Sequence, residues 1–452
     1  MTEVPSPVPP PVPPSVPPAF PASDVAPDVG AGALDVGGGP LTGPVAKVRG
    51  RWIALISLAN LGLFVGLYGP LQVLLPNQVQ DIAGSAHKVA MLGWVTGAGA
   101  AAAMIAQPVV GALSDRTVGR FGRRHPWTVV GGLAAAAALA LLAGQHTIAG
   151  VIICWCVAQA GLNAMHASLT AAVPDHVPVR QRGLASGWIS LQQTFGVVVA
   201  VALVSLLVTG NGGYVLVAVL VVAFAAPFVL FTRSVRLERE GRPPFAWREF
   251  ARSFWVSPRR YPDFAWAWGT RFLVQLGNSM AILYLLYFLR DKIHYARLFP
   301  GQTAEDGLLI LIVAYTIGVL LSAVAGGAVS DRSGRRKPLV TVSGLVMAVP
   351  AIMLAIWPTW PVTVACAVLL GLGFGAYLSV DLALVTQVLP SEAGYAKDLG
   401  IINIANAGPQ VLAPAIAAPI VSSLGGYPAL YLTVAVITVL GSAFVWKIRS
   451  VP

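Results

Sequence analysis

The chain has 452 residues, 56% of them hydrophobic and 10% charged, whereas a soluble globular domain is about 25% charged. That balance excludes a water-facing fold for most of the chain. The apolar residues come in runs of about 20, the length a helix needs to cross a bilayer core of ~30 Å. The runs do not alternate in polarity, which excludes barrel strands. The net charge of +11 is accounted for by topology rather than by nucleic acid.

In chain order, residues 1–48 read as a disordered Pro-rich cytoplasmic tail. Up to residue 45 the acidic residues are Glu3, Asp24, Asp28 and Asp35, and there is no basic residue. A signal peptide needs a basic start and an apolar core, so this segment is not one. It is either inert or a ligand for a proline-binding partner. The apolar pattern then predicts helices at Trp52–Leu75, Val89–Leu113, Trp127–Gly144, Ile148–Val173, Ala185–Val208 and Tyr214–Phe231. After a basic linker come Phe264–Leu289, Leu308–Val329, Pro338–Ile356, Val362–Leu389, Leu399–Ser422 and Ala429–Trp446. The expected fold is an all-α membrane protein of twelve transmembrane helices. Its expected layout is a six-helix bundle over 49–232, a cytoplasmic linker over 233–263 and a second bundle over 264–452. Cys154, Cys156 and Cys366 lie in apolar runs and read as small buried hydrophobes, with no disulfide or metal pattern.

Lys and Arg set the orientation. With the N-terminus inside, 24 of the 29 fall in the tail, inner loops and linker. Only Lys88, Arg290, Lys292 and Arg297 fall outside, and Arg271 lies within a helix. This asymmetry places both termini in the cytoplasm, in the inner (cytoplasmic) membrane of the cell.

The halves repeat. Gly111-Ala-Leu-Ser-Asp115-Arg116 recurs as Gly327-Ala-Val-Ser-Asp331-Arg332, an offset of 216. Pro174 and Pro390 end helices four and ten at the same offset, and Gly187 and Gly400 open helices five and eleven at 213. Parallel six-helix repeats characterise one large class of secondary transporters. Ordered glycines permit a tight turn. Asp115 can pair with basic residues of its own loop or meet the positive N-terminus of helix eleven. Asp115, Arg116, Arg120, Arg123 and Arg124, with Asp331, Arg332, Arg335 and Arg336, are therefore candidate parts of a conformational latch between the halves. The alternative is a charge cluster that fixes only topology.

The stretch from Gly111 to Arg124, with its weaker copy from Gly327, resembles the signature loop of the major facilitator superfamily. Its Ser-Asp-Arg, Arg-Phe-Gly-Arg-Arg and Pro126-Trp127 elements are similar to those of glycoside–pentoside–hexuronide:cation symporters and plant sucrose transporters. Leu399-Gly400-Ile-Ile-Asn403-Ile-Ala-Asn406, followed by Pro409-Gln410, resembles a sucrose-transporter stretch. The resemblance implies ion-coupled import. Helix two has no acidic pair of the kind used by sodium–melibiose symporters. Helix ten carries Asp381, which plant sucrose transporters lack there. Helix five lacks the Gly-Pro motif of drug–proton antiporters.

Ionisable residues inside a membrane are functional candidates by default. Taking Asp263 as the inner edge of helix seven, Arg271 lies eight residues from it, Asp381 lies eight from the predicted inner end of helix ten, and His166 lies seven from that of helix four. At 1.5 Å per residue, each sits roughly 10–12 Å inside the membrane. Equal depth allows an Arg271–Asp381 pair, which is either the proton-coupling site or a permanent structural pair. His166 is either a proton relay or a packing residue. Amides and aromatic faces suit a hydroxyl-rich solute: Asn60, Tyr68, Asn163, Gln192, Gln193, Gln275, Asn278, Tyr377, Asn403, Asn406 and Gln410. Each amide read singly could equally be an interhelical hydrogen bond. Gly371-Leu-Gly373-Phe-Gly375 mimics a nucleotide loop, but it lies within an apolar helix with no strand before it.

These readings make the protein a transporter rather than an enzyme, without cofactor or metal, and with H+ as the coupling ion. Its partners are a small-molecule solute and the lipid bilayer, not nucleic acid, and the default state is a monomer. The expected function is proton-coupled symport of a sugar, glycoside or similar small polar solute. The alternative is an efflux carrier for an apolar metabolite or drug.

Overall fold

The computed structural model describes residues 47–208, 210–236, 259–333, 336–387 and 395–449, without the side chains of 179, 180, 183, 331, 333, 382, 383, 385–387 and 395–403. The tail up to residue 46 and most of the linker (237–258) lie outside the described residues, as do Arg335 and the side chains of Asp331 and Asn403. Among the described residues every regular element is helical.

The first apolar run continues far beyond its predicted end. Gly50–Gly69 passes through a π-turn at Pro70–Leu74 into Leu75–Ser114, a stretch of 65 residues. Proline at Pro70 has no N–H and crowds the preceding turn, and the wider π-turn accommodates it. At 1.5 Å per residue the stretch would be ~100 Å long, three bilayer cores. It therefore holds two spans, divided at Gly84, whose φ of 71° and ψ of 170° suit a residue without Cβ. We call the spans α1 (50–83) and α2 (85–114).

There follow α3 (His125–Leu142), α4 (Ile148–His176), α5 (Val179–Leu207) and α6 (Gly212–Phe231). The second half begins with α7 (Pro262–Leu283), which bends by 44° at Tyr284 into Leu285–Ile293. Then come α8 (Ala304–Ser333), α9 (Arg336–Ile356), α10 (Trp360–Gln387), α11 (Tyr395–Ser423) and α12 (Gly426–Phe444). At the start of α8, Asp306 accepts bonds from Thr303 N and Oγ1, a capping arrangement that starts the helix. Ten helices are long and apolar enough to span. Dividing the first at Gly84 and counting the bent α7 as one span gives twelve among the described residues.

Packing follows the sequence repeat. In the first half α4 packs on α2 and α3, α1 on α5 and α6, and α3 on α6. In the second half α10 packs on α8 and α9, α7 on α11 and α12, and α9 on α12. Each pair maps onto the other by adding six to the helix number. The main seams between halves, α2–α11 and α5–α8, exchange under the same operation. At the first seam a Cβ on Gly93 would lie 3.0 Å from Ala418 Cβ and 3.4 Å from Pro414 O, so a glycine there permits close approach.

Candidate functional site

Three helices of the second half converge on one charged cluster. Arg271 Nη1 (α7) lies 2.5 Å from Asp381 Oδ2 (α10), with the two side chains 12% and 4% exposed. Tyr377, one turn before Asp381, donates its hydroxyl to Asp381 Oδ1 at 2.5 Å. On its other edge Arg271 donates Nε–H to Asn406 Oδ1 (α11) at 2.8 Å, and Gln275 donates to the same oxygen at 3.4 Å. Helical spacing puts Arg271 and Gln275 on one face of α7. A charge pair this buried depends on further hydrogen bonds. Tyr377 supplies one to Asp381 Oδ1 and Asn406 accepts one from Arg271 Nε, while Arg271 Nη1 is buried and meets Asp381 Oδ2 only as an ion pair without hydrogen-bond geometry.

An aromatic ladder runs from this cluster to α8, and a second polar group lies in the first half. Tyr377 stacks on Phe374 (6.4 Å between centroids) and Phe374 on Tyr315 of α8 (6.3 Å). Tyr315 donates to Asn278 at 3.3 Å. Gln193 of α5 reaches the Tyr68 hydroxyl at 3.5 Å, and Tyr68 stacks on Phe64. His166 makes an edge-to-face contact with Phe64, and its Nδ1 lies 3.4 Å from Gln107 Nε2. The structure thus brings Arg271, Asp381, Tyr377, Gln275, Asn406 and, through Phe374 and Tyr315, Asn278 into one chain of contacts, and Tyr68, Gln193, Phe64, His166 and Gln107 into a second.

Other predicted residues stand apart. Asn60 is buried and donates to Ile56 O in its own helix, and Asn163 donates to Gln159 O and Oε1 one turn earlier. Gln192 is half-buried and Gln410 exposed.

The end of the molecule carrying the α1–α2 turn is tied across the seam. Lys88 pairs with Asp291 at 2.7 Å, and Asp291 also accepts from Tyr427. Arg290 pairs with Glu305 at 2.5 Å and donates to Asn77 and Gln80, while Asn77 donates to Glu305. Tyr284 and Tyr287 donate to the carbonyls of Val89 and Pro76. The bent end of α7 supplies most of these groups. None of them stands out in the sequence: Lys88 and Arg290 read there only as loop charges, and Asn77 and Gln80 lie beyond the predicted end of the first helix.

At the other end the signature loop is bound within its own half. Asp115 pairs with Arg124 at 2.6 Å. Asp175, which the sequence did not single out, holds both Arg123 and Arg124, the latter at 2.8 Å. Burial works against the charge of Arg124, but Asp175 and Asp115 outweigh it and raise its pKa. The segment after α6 packs on the loop: Arg123 N donates to Val235 O and Arg124 N to Ser234 Oγ, both at 2.9 Å. Gly122 has a φ of 76°, and a Cβ there would lie 2.6 Å from Ser234 O, so this approach requires glycine. Arg120 lies over the Phe121 ring, and Arg332 is exposed. Arg116 and Arg336 stand at the same end.

Two six-helix halves related by a repeat, with a polar cluster between apolar spans, define a polytopic membrane transporter, not an enzyme. The chain belongs to the Major Facilitator Superfamily, whose family description it matches over residues 53–312 and 268–452. Its fold is similar to the crystal structure of the nucleoside transporter NupG (D323A mutant), with a TM-score of 0.69 and 13% identity over 88% of this chain and 100% of that one. It is equally similar to a POT family transporter in complex with a thioalcohol-conjugated peptide, with a TM-score of 0.70 and 11% identity over 88% and 96%. Likeness at these identities concerns the fold.

Proposed function

We propose that the protein is a proton-coupled symporter of a sugar, glycoside or similar small polar solute, working by alternating access in the cytoplasmic membrane with both termini inside. The observation that carries this reading is the Arg271–Asp381 pair, set among Tyr377, Gln275 and Asn406. Asp381 takes the coupling proton. Protonation removes the charge that holds Arg271, so the pair opens and its hydrogen-bonding groups become available to solute. A carrier loaded this way responds to a proton gradient without ATP.

In this orientation the α1–α2 end faces outward, and the Lys88–Asp291 and Arg290–Glu305 pairs close it. Asp115, Arg116, Arg120, Arg123, Arg124 and their second-half counterparts then serve as the inner latch in the opposite state.

The test is uptake into proteoliposomes driven by an imposed pH gradient, across sugars, glycosides, other small polar solutes and lipophilic drugs. The expected result is accumulation of a polar solute by the wild type. Asp381→Asn loses accumulation and keeps solute exchange. Gradient-independent uptake, or gradient-driven movement of lipophilic compounds alone, would overturn the reading.

A further inference from the structure

The charge balance of the cluster constrains the solute further, given the reading of Asp381 as the proton carrier. Of the sequence's 18 acidic residues, Asp381 alone lies deep within a spanning segment. Asp81, Asp115, Asp175, Asp263, Asp291, Glu305, Asp306 and Asp331 sit at span ends or in turns, and the rest lie in the tail, the linker and residues 391–398. The nearest in sequence to the cluster, Asp263 on α7 and Asp398 on α11, are each eight residues from Arg271 and Asn406 respectively, about 12 Å at 1.5 Å per residue along the helix. Among the described residues Arg271 has one carboxylate partner, Asp381. The other described groups at the cluster carry no formal charge: Tyr377, Asn406 and Gln275 by direct contact, and Tyr315 through Phe374.

Protonating Asp381 sets a carboxylic O–H or a neutral carbonyl against Arg271 Nη1. Arg271 stays anchored, because its Nε–H is held by Asn406 Oδ1 on the far edge. The result is a fixed, largely buried guanidinium whose Nη1, which has no hydrogen-bond partner of its own, has lost its counter-charge. A buried cation without a partner is unfavourable. A planar fork of N–H donors is the geometry that binds a carboxylate with two parallel hydrogen bonds. We infer that the transported solute carries one carboxylate, which takes the place of Asp381 on Arg271 when Asp381 is protonated. Among small polar solutes this selects hydroxylated monocarboxylates, such as sugar acids, over neutral sugars. One proton and one anion then cross as a neutral unit. Asn406 is the positioning residue that keeps Arg271 in place between its two partners.

The experiment uses matched probes, glucuronate against methyl glucoside and gluconate against glucose, on the purified full chain. Ligand-dependent thermal stabilisation is measured for wild type, Asp381→Asn, Arg271→Lys and the Asp381→Asn/Arg271→Gln double variant. The neutral Asn stands for protonated Asp381, so the carboxylate probes are expected to stabilise Asp381→Asn at about tenfold lower concentration than wild type, as expected for one charge-assisted hydrogen-bonded contact. They should act weakly on Arg271→Lys, which keeps the charge but not the fork, and not at all on the double variant. Equal stabilisation of Asp381→Asn and the double variant, or stabilisation by the neutral probes alone, overturns the inference.

Uptake in proteoliposomes separates this from the proton reading. Carboxylate accumulation driven by a pH gradient, without current on a solid-supported membrane and indifferent to a potassium diffusion potential, supports both. Arg271-dependent carboxylate binding with uptake indifferent to pH sinks the proton carrier and keeps the anion site. Current-generating, pH-driven uptake of a neutral sugar does the reverse.

Discussion

Lys88 Nζ stands 2.7 Å from Asp291 Oδ1, tying the first turns of α2 to the bent end of α7. Lys88 is 5% exposed and also lies over the Tyr287 ring. Asp291→Asn would leave this ammonium buried without its carboxylate. Because Asp291 itself is 35% exposed, the cost is discounted to about 1–2 kcal/mol, or a shift of roughly 5- to 30-fold in the balance between closed and open states at this end. Spin labels at the exposed positions His87→Cys and His294→Cys, in a background lacking Cys154, Cys156 and Cys366, should report a larger long-distance population in Asp291→Asn. An unchanged distribution would mean that the pair does not hold this end shut.

Gly93 tests the same closure through packing. Its added Cβ would meet Ala418 Cβ at 3.0 Å and the Tyr284 hydroxyl at 3.1 Å. A leucine there cannot fit between α2 and α11 as they stand, and overpacking of this kind costs about 1–3 kcal/mol. Gly93→Leu is expected to favour the state open at the α1–α2 end, to slow net transport and to leave ligand binding at the Arg271 cluster in place. The same label pair reads the first effect. If binding is lost instead, the substitution has disturbed more than the seam.

Asn406→Ala removes the acceptor for both Arg271 Nε–H and Gln275. Loss of one hydrogen bond to a charged group is worth about 1.5–3 kcal/mol. At about 2–4 °C per kcal/mol for a domain the size of each half, the thermal midpoint of the purified protein should fall by roughly 3–12 °C. Asn406→Ser, which keeps an oxygen acceptor on a shorter side chain, should recover part of the loss. A midpoint equal to that of the wild type would show that Asn406 does not carry Arg271.

Arg271 and Asp381 could be read from the sequence because a charge inside an apolar run is rare, and the fixed rise of a helix converts spacing into depth. Which amide joined them could not be read. Asn403, Asn406 and Gln410 look alike in composition, and the choice depends on helix rotation against α7. Tyr315 and Phe374 lie in apolar helices, where an aromatic residue that lines a site has the same signature as one that packs. The closure at Lys88 and Asp291 was hidden for a different reason. Hydropathy marks the edge of the membrane rather than the end of a helix, so Asn77 and Gln80 were placed beyond a helix that in fact continues to Gly84. The bend of α7 at Tyr284 is a backbone torsion, φ −107° and ψ 19°, with no proline or glycine beside it to announce it.

The signature loop contains an asymmetry that separates its two carboxylates. Asp115 belongs to the repeated motif but is 52% exposed and pairs with Arg124. Asp175 lies outside the motif, is 6% exposed and holds both Arg123 and Arg124. Removing a buried partner from such a cluster leaves uncompensated charge and costs about 3–5 kcal/mol, whereas an exposed pair contributes about 0–1 kcal/mol. Asp175→Asn should therefore destabilise the protein strongly, and should also free the segment after α6 that hydrogen-bonds to Arg123 and Arg124. Asp115→Asn should leave stability within about 1 kcal/mol of the wild type. Thermal unfolding of the two variants gives the first comparison, and amide hydrogen exchange at residues 232–236 gives the second. Equal destabilisation by both would remove Asp175 as the structural hub. Faster exchange only in Asp115→Asn would assign the anchoring of that segment to the motif carboxylate instead.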